Sequence, residues 1–218
     1  MDEVAEYWVG KAVDQGLYHC PDVSLFRLIG TAFGPLAGKK VLEIGFGYGA
    51  DLLECKRRGA EVYGLDLNPR YIEALAFLGD RVRVFRAGTN PINCESKLDL
   101  IYFRDLLYYL ADSEIHQLLC ECRRNLADHG KIIFQFIEAD VQLPESHGLT
   151  DYTKDLFLHA DETELFPKSN PIRFLKTSKL IPIIASADLK TTATKRIFQS
   201  YDLEERQFRV DKYMVLSA

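Results

Sequence analysis

Three glycines at alternate positions close an apolar run in Val41-Leu-Glu43-Ile-Gly45-Phe46-Gly47-Tyr-Gly49-Ala50. A chain that leaves a strand, turns sharply and enters a helix needs glycine where a ligand must approach the backbone without a Cβ in the way. A second chemical group stands at the end of the next apolar run, Val62-Tyr-Gly-Leu-Asp66. An acid about 20 residues beyond such a turn, at the carboxyl end of the neighbouring strand, can accept both hydroxyls of a ribose. The pair points to a nucleoside ligand. Gly45-x-Gly47-x-x-Ala50 also satisfies the dinucleotide pattern, so these glycines alone admit a nicotinamide cofactor. Glu43 weighs against it, because a carboxylate just before the turn suits a cationic or hydroxylated ligand better than a pyrophosphate.

These groups need a scaffold, and the apolar pattern supplies one. Short runs at Val41–Ile44, Val62–Leu65, Val82–Phe85, Leu98–Phe103 and Ile132–Ile137 alternate with helical periods, as in a parallel sheet covered on both faces. Asn68-Pro69 suits the start of a helix running through Ile72, Leu75, Ala76 and Leu78. Asp112 is placed to cap a helix carrying Ile115, Leu118, Leu119, Cys122 and Leu126, while Gly59 and Gly130 stand where helices should stop. Pro21-Asp22 precedes a helical segment through Leu25, Leu28 and Ile29, so residues 1–36 read as an N-terminal helical arm. Residues 138–190 break the pattern and read as an insertion or lid, with a helix-like segment after Pro171. Lys195–Gln199 and Lys212–Leu216 form a closing antiparallel hairpin. The fold class expected is a doubly wound, mostly parallel seven-stranded α/β sheet, with residues 1–218 as a single domain.

Composition narrows the partners. A net charge of −5, with 27 basic residues scattered among 32 acidic ones, disfavours a nucleic-acid substrate and favours a small molecule. No apolar run approaches the roughly 20 residues that cross a bilayer, and the opening MDEVAEYWVG lacks a secretory pattern, so a cytoplasmic protein without membrane contact is expected. Cys20, Cys55, Cys94, Cys120 and Cys122 fit no zinc spacing, and no metal is expected. A homodimer is compatible with all of this.

Taken together, the Glu43–Gly49 segment, Asp66 and Leu98-Asp-Leu-Ile-Tyr-Phe-Arg104-Asp105-Leu-Leu-Tyr108-Tyr109-Leu110 resemble the successive motifs of class I S-adenosylmethionine-dependent methyltransferases over residues 38–138. The resemblance implies S-adenosylmethionine as cofactor. Gly45, Phe46, Gly47 and Gly49 would hold its methionine and ribose portions, Glu43 its ammonium end directly or through water, and Asp66 its ribose. Leu67 would pack on adenine, and the backbone at Arg104 would meet the ammonium. Family members often carry an acid after the third strand; here the run is Arg86-Ala-Gly88-Thr89-Asn90, which leaves Gly88 and Thr89 as the adenine contacts. Asp105 has the residue type of a simple cap after the fourth strand.

Methyl transfer from a sulfonium is an in-line displacement, so the protein mainly aligns the acceptor and, for an acidic one, removes a proton. The resemblance builds the acceptor pocket from Tyr7, Trp8 and Tyr18 in the arm, Tyr108 after the fourth strand, and Glu138 and Tyr152 in the insertion. Tyr109 falls where many relatives have histidine, and a phenol is a poor base at neutral pH. His19 and His159 are the other candidate bases. The activity expected is transfer to an O or N atom of a small metabolite or natural-product intermediate. A nicotinamide-dependent oxidoreductase and a catalytically silent cofactor-binding partner subunit are the alternatives.

Overall fold

A computed structural model describes residues 20–138, 175–202 and 207–218. Seven strands form one sheet in the order β3-β2-β1-β4-β5-β7-β6. They are β1 (Lys40–Ile44), β2 (Glu61–Asp66), β3 (Val82–Val84), β4 (Leu98–Phe103), β5 (Leu126–Ile137), β6 (Lys190–Asp202) and β7 (Gln207–Ser217). The first five run parallel to one another, and β7 runs antiparallel to both β5 and β6. This is the doubly wound, mostly parallel sheet with an antiparallel closing hairpin that the pattern predicts.

Strands buried on both faces must be apolar on both, and β1 shows how the faces divide. Leu42 and Ile44 join Leu65, Ile101, Phe103, Ile132 and Phe134 on one face. There they are covered by α4 (Asp112–Asn125), through Ile115, Leu118, Leu119 and Cys122, and by α5 (Thr177–Ser186), through Leu180 and Ile184. Val41 faces the other way with Val62, Leu100, Tyr102, Ile133, Tyr213 and Val215, under α1 (Val23–Ala32) and α2 (Ala50–Arg57). Alternation puts Glu43 on this second face, beside its register partner Tyr102. At roughly 25 cal/mol per Å² of apolar area removed from water, these two cores supply most of the drive to fold.

Several boundaries differ from the expectation, each for a local reason. The helix after Asn68 is short: α3 covers Pro69–Ala74 and tightens into a 3-10 turn over Ala76–Arg81, with Gly79 at φ 62° and ψ −144°. Asp112 is the first residue of α4 rather than its cap. The Glu114 carboxylate reaches back instead, accepting the Ala111 N–H at 2.7 Å. Gly130 stops no helix; it lies in β5, where a Cβ would fall 2.8 Å from Leu126 and 2.9 Å from the Leu98 carbonyl. The hairpin strands run well past the expected apolar segments. The end of the expected insertion belongs to the helical layer, since Leu180 of α5 is fully buried. No helix among the described residues is long and apolar enough to cross a membrane.

Candidate active site

Strand order reverses between β1 and β4, so the chains leaving them turn to opposite faces and open a crevice at their carboxyl ends. The glycine turn follows β1 into that crevice. Gly47 has φ 51° and nothing within 4 Å of where a Cβ would stand, so the space above it is open. Gly49, at φ 75°, begins α2, and a Cβ there would meet Leu75 at 2.6 Å. Phe46 points away from the crevice into the α1/α2 core and fills the space left by Gly64, whose Cβ would lie 2.9 Å from its ring.

Asp66 reaches this turn from the end of β2. Its Oδ2 accepts the Gly47 N–H at 2.8 Å and its Oδ1 accepts the Asn68 N–H at 2.9 Å. Burial raises its carboxyl above the ordinary range, while the backbone N–H groups of Asn68, Gly47 and Leu67 pull the other way. With these three N–H donors on a carboxylate of about four lone-pair sites, some acceptor capacity is left beyond these bonds. The turn and the carboxylate thus converge on one spot. Leu67, next in the chain, is half-buried beside it.

Glu43 is buried beneath the turn, 4% exposed, and accepts the Tyr102 hydroxyl on Oε2 at 2.9 Å. Its Oε1 has no hydrogen-bond donor among the described residues. Burial and the nearby Asp51 carboxylate raise its pKa well above the ordinary value, against the opposing pull of Arg104 and the Tyr102 hydroxyl. Behind Tyr102 lies the Cys55 thiol at 3.7 Å, itself pushed up to about 12, chiefly by burial.

Sequence reasoning places only the Arg104 backbone here. Its side chain organises a larger cluster. The guanidinium donates to Asp51 Oδ2 through Nε at 2.9 Å and Nη2 at 2.6 Å, and through Nη1 to Asp22 Oδ2 at 3.1 Å. Burial disfavours its charge, and the carboxylates of Asp51, Asp105 and Asp22 outweigh that. Tyr213 of β7 donates to the same Asp22 oxygen at 2.5 Å, and the Asp22 N–H donates to Asp51 Oδ1 at 2.7 Å. Asp22 also caps α1 by accepting from the Ser24 and Leu25 N–H groups. The cluster therefore ties the start of α1, the start of α2, the end of β4 and the hairpin to one point beside the glycine turn. Proline-aspartate before a helix was its single sequence signal; Asp51 and Tyr213 gave none.

Tyr108 and Tyr109 lie in a 3-10 turn, Leu107–Tyr109, with ring centroids 4.5 Å apart; Tyr108 is buried and Tyr109 half-buried. Gly88 and Thr89 fall in the turn after β3. Gly88, at φ 72°, is crowded by α4, since a Cβ would stand 2.5 Å from that of Glu114; helix packing alone accounts for the glycine. Thr89 is exposed, and its N–H donates to the Arg86 carbonyl. Glu138 is engaged wholly within the protein rather than offered to an acceptor. It is 1% exposed and accepts from Lys212 Nζ at 2.6 Å, Arg196 Nε at 2.5 Å and Nη2 at 3.0 Å, and Thr177 Oγ1 at 2.8 Å. Tyr7, Trp8, Tyr18, His19, Tyr152 and His159 lie outside the described residues.

Comparison with known proteins follows the same lines. A family model described as a methyltransferase domain matches residues 22–192. A caffeic acid 3-O-methyltransferase from Zinnia elegans is 23% identical over 153 residues, 69% of this chain; the chain spans 41% of that relative's length. Among solved structures, a SAM-dependent methyltransferase from Leishmania major superposes with a TM-score of 0.68 at 17% identity, covering 98% of this chain and 81% of that one. The 1,6-didemethyltoxoflavin-N1-methyltransferase of Burkholderia thailandensis, solved with 1,6-didemethyltoxoflavin and S-adenosylhomocysteine, gives 0.61 at 14% identity over 90% and 78%. With the family model spanning well over half its length, on a sheet whose switch point carries the converging turn and acid, the chain belongs to the class I S-adenosylmethionine-dependent methyltransferases.

Proposed function

We propose that this protein transfers the methyl group of S-adenosylmethionine to an O or N atom of a small-molecule acceptor. The observation that carries the reading is the 2.8 Å contact between the Gly47 N–H and the Asp66 carboxylate, at a switch point with open space above the turn. The residues present fit the cofactor. Asp66 retains acceptor capacity for the ribose, and Glu43 has an oxygen without a donor among the described residues for the ammonium end. Asp22 and Asp51 outnumber the single guanidinium of Arg104, which leaves an excess of negative charge suited to a cationic ligand. When bound, the cofactor supplies an electrophilic methyl group on a sulfonium.

The chain's own residues bind, orient and exclude water. Gly45, Gly47 and Gly49 let the backbone approach the ligand, Leu67 packs on adenine with Gly88 and Thr89 at its edge, and the Arg104 backbone meets the ammonium end. Tyr108 and Tyr109 border the acceptor, together with Tyr7, Trp8, Tyr18 and Tyr152; His19 and His159 are candidate bases. A small acceptor agrees with the net charge of −5 and with the acceptors named for the Zinnia and Burkholderia relatives. The five free thiols suit a reducing cytoplasm.

Titration calorimetry with S-adenosylmethionine and S-adenosylhomocysteine tests the reading, followed by release of S-adenosylhomocysteine over a panel of phenols and heterocyclic amines. Asp66→Ala removes the carboxylate's charged hydrogen bonding to ribose and is expected to weaken cofactor binding by about 1–3 kcal/mol. Binding of neither ligand by the wild type would end the proposal.

A further inference from the structure

The peptide unit joining Arg104 to Asp105, just past β4, is held by a side chain from another strand. Gln135 of β5 accepts the Asp105 N–H on Oε1 at 2.9 Å and donates through Nε2 to Asp211 Oδ1 of β7 at 2.6 Å. These partners fix which way the amide faces, because a backbone N–H only donates and a carboxylate oxygen accepts. Gln135 and Asp211 are 1% and 2% exposed, so neither bond is shared with bulk water.

Holding one end of a peptide unit aims the other. The described residues contain no cis peptide bond, and in a planar trans unit the N–H and C=O point in opposite directions. β4 lies between β5 and β1, so an Asp105 N–H turned to the β5 side presents the Arg104 carbonyl to the β1 side, where the glycine turn stands. Among the described residues, no backbone N–H donates to that carbonyl. The Arg104 side chain is anchored separately, on Asp51 and Asp22. Leu106 closes the gap to the glycine turn, 3.7 Å from where a Gly45 Cβ would be. Asp105 itself has φ 49°, a left-handed conformation that an L-residue keeps only where its surroundings hold it.

We propose that Gln135 is a positioning residue for the amino-acid end of the cofactor: through the Asp105 N–H it aims the Arg104 carbonyl at the ammonium group; this rests on the methyltransferase reading above. Glutamine suits the task because one planar group must accept from the Asp105 peptide and donate to Asp211. An apolar side chain in its place packs but does neither. Without the brace, the strained φ of Asp105 relaxes by rotation of this same peptide unit, which carries the carbonyl away from the ammonium. The adenosine end, held by Asp66 and Leu67 across the crevice, is left as it was.

The test compares two ligands that share an adenosine thioether. S-adenosylhomocysteine carries the amino-acid end and methylthioadenosine lacks it, so the ratio of their affinities reads that end alone. Calorimetry on the full chain is expected to give a ratio of about tenfold or more in the wild type, the size of a charge-assisted hydrogen bond. Gln135→Met, of similar length and without donor or acceptor, is expected to cut that ratio at least about fivefold while methylthioadenosine affinity stays within about twofold. Gln135→Asn, one methylene too short to hold both partners, should cut it about threefold, and it decides the matter if Gln135→Met does not fold. Folded variants that keep the wild-type ratio, or that lose both ligands equally as a mere bridge between β5 and β7 would, overturn the assignment. So does a wild type that binds both ligands alike, and in each of these cases the methyltransferase reading stands. A wild type that binds neither ligand removes both.

Discussion

Replacing Glu138 by glutamine separates a structural hub from an acceptor contact. The carboxylate joins β5 to α5 and to the hairpin through Lys212, Arg196 and Thr177. Burial opposes its charge, but hydrogen bonds from Arg196, Lys212 and Thr177 prevail and hold the carboxyl at about 2 rather than 4.5. That difference corresponds to about 3 kcal/mol, at roughly 1.4 kcal/mol per pH unit. The Arg196 side chain is 52% exposed, so solvent screens its share and about 2–3 kcal/mol is the expected net effect. The Lys212 ammonium, 8% exposed, loses its counter-charge in the variant, which keeps the loss at the upper end. Because the folded carboxyl titrates below the unfolded one, the stabilisation is complete above pH 4.5 and disappears as pH falls toward 2. Urea unfolding followed by circular dichroism should therefore show the variant about 2–3 kcal/mol less stable at pH 7, with the gap closing steadily below pH 4.5. Cofactor affinity measured on the folded variant should be unchanged. A gap under about 0.5 kcal/mol at pH 7, or one independent of pH, would refute the argument from buried pairing.

Glu43→Gln carries the opposite sign. Its folded carboxyl titrates above the unfolded one, so the wild type loses stability as pH rises from the ordinary carboxylate range, and the variant, spared that loss, should melt higher at pH 7.5 and equally near pH 4. The same variant should bind S-adenosylmethionine more weakly; a lower melting temperature at pH 7.5 would contradict the burial argument. Two glycine substitutions should divide stability from binding. Gly88→Ala forces a Cβ against Glu114 and should cost more than about 2 kcal/mol in urea unfolding. Gly47→Ala meets open space and should cost about 1–2 kcal/mol for its left-handed backbone, while cofactor affinity by calorimetry falls at least tenfold. Equal stability losses at the two positions would show that the open space above Gly47 has been misjudged.

Local pattern made the architecture legible. Runs such as Val41–Ile44 and Leu98–Phe103 are apolar on both sides because parallel strands are covered on both faces, and β4 spans Leu98–Phe103 as the pattern predicts. The glycine turn and Asp66 were readable for a related reason: both are short-range requirements, a turn without a Cβ and an acid ending a strand. Boundaries that depend on neighbours were not. Gly130 looks like a helix stop until the Leu98 carbonyl is seen against it, and the crowding of Gly88 by Glu114 emerges only once α4 is packed over it.

The chain's order of residues by itself determined the sheet, the turn after β1 and the acid that meets it, since periodicity and glycine placement act within a few residues of one another. Only the folded molecule decided which charges share a site. Asp22 and Tyr213 are 191 residues apart, yet one hydrogen bond joins them beside Arg104; Gln135 reaches Asp105 and Asp211 from a third strand. Such partnerships carry no periodic signature, because a buried polar group is satisfied by whatever donor the packing of distant strands brings within about 3 Å.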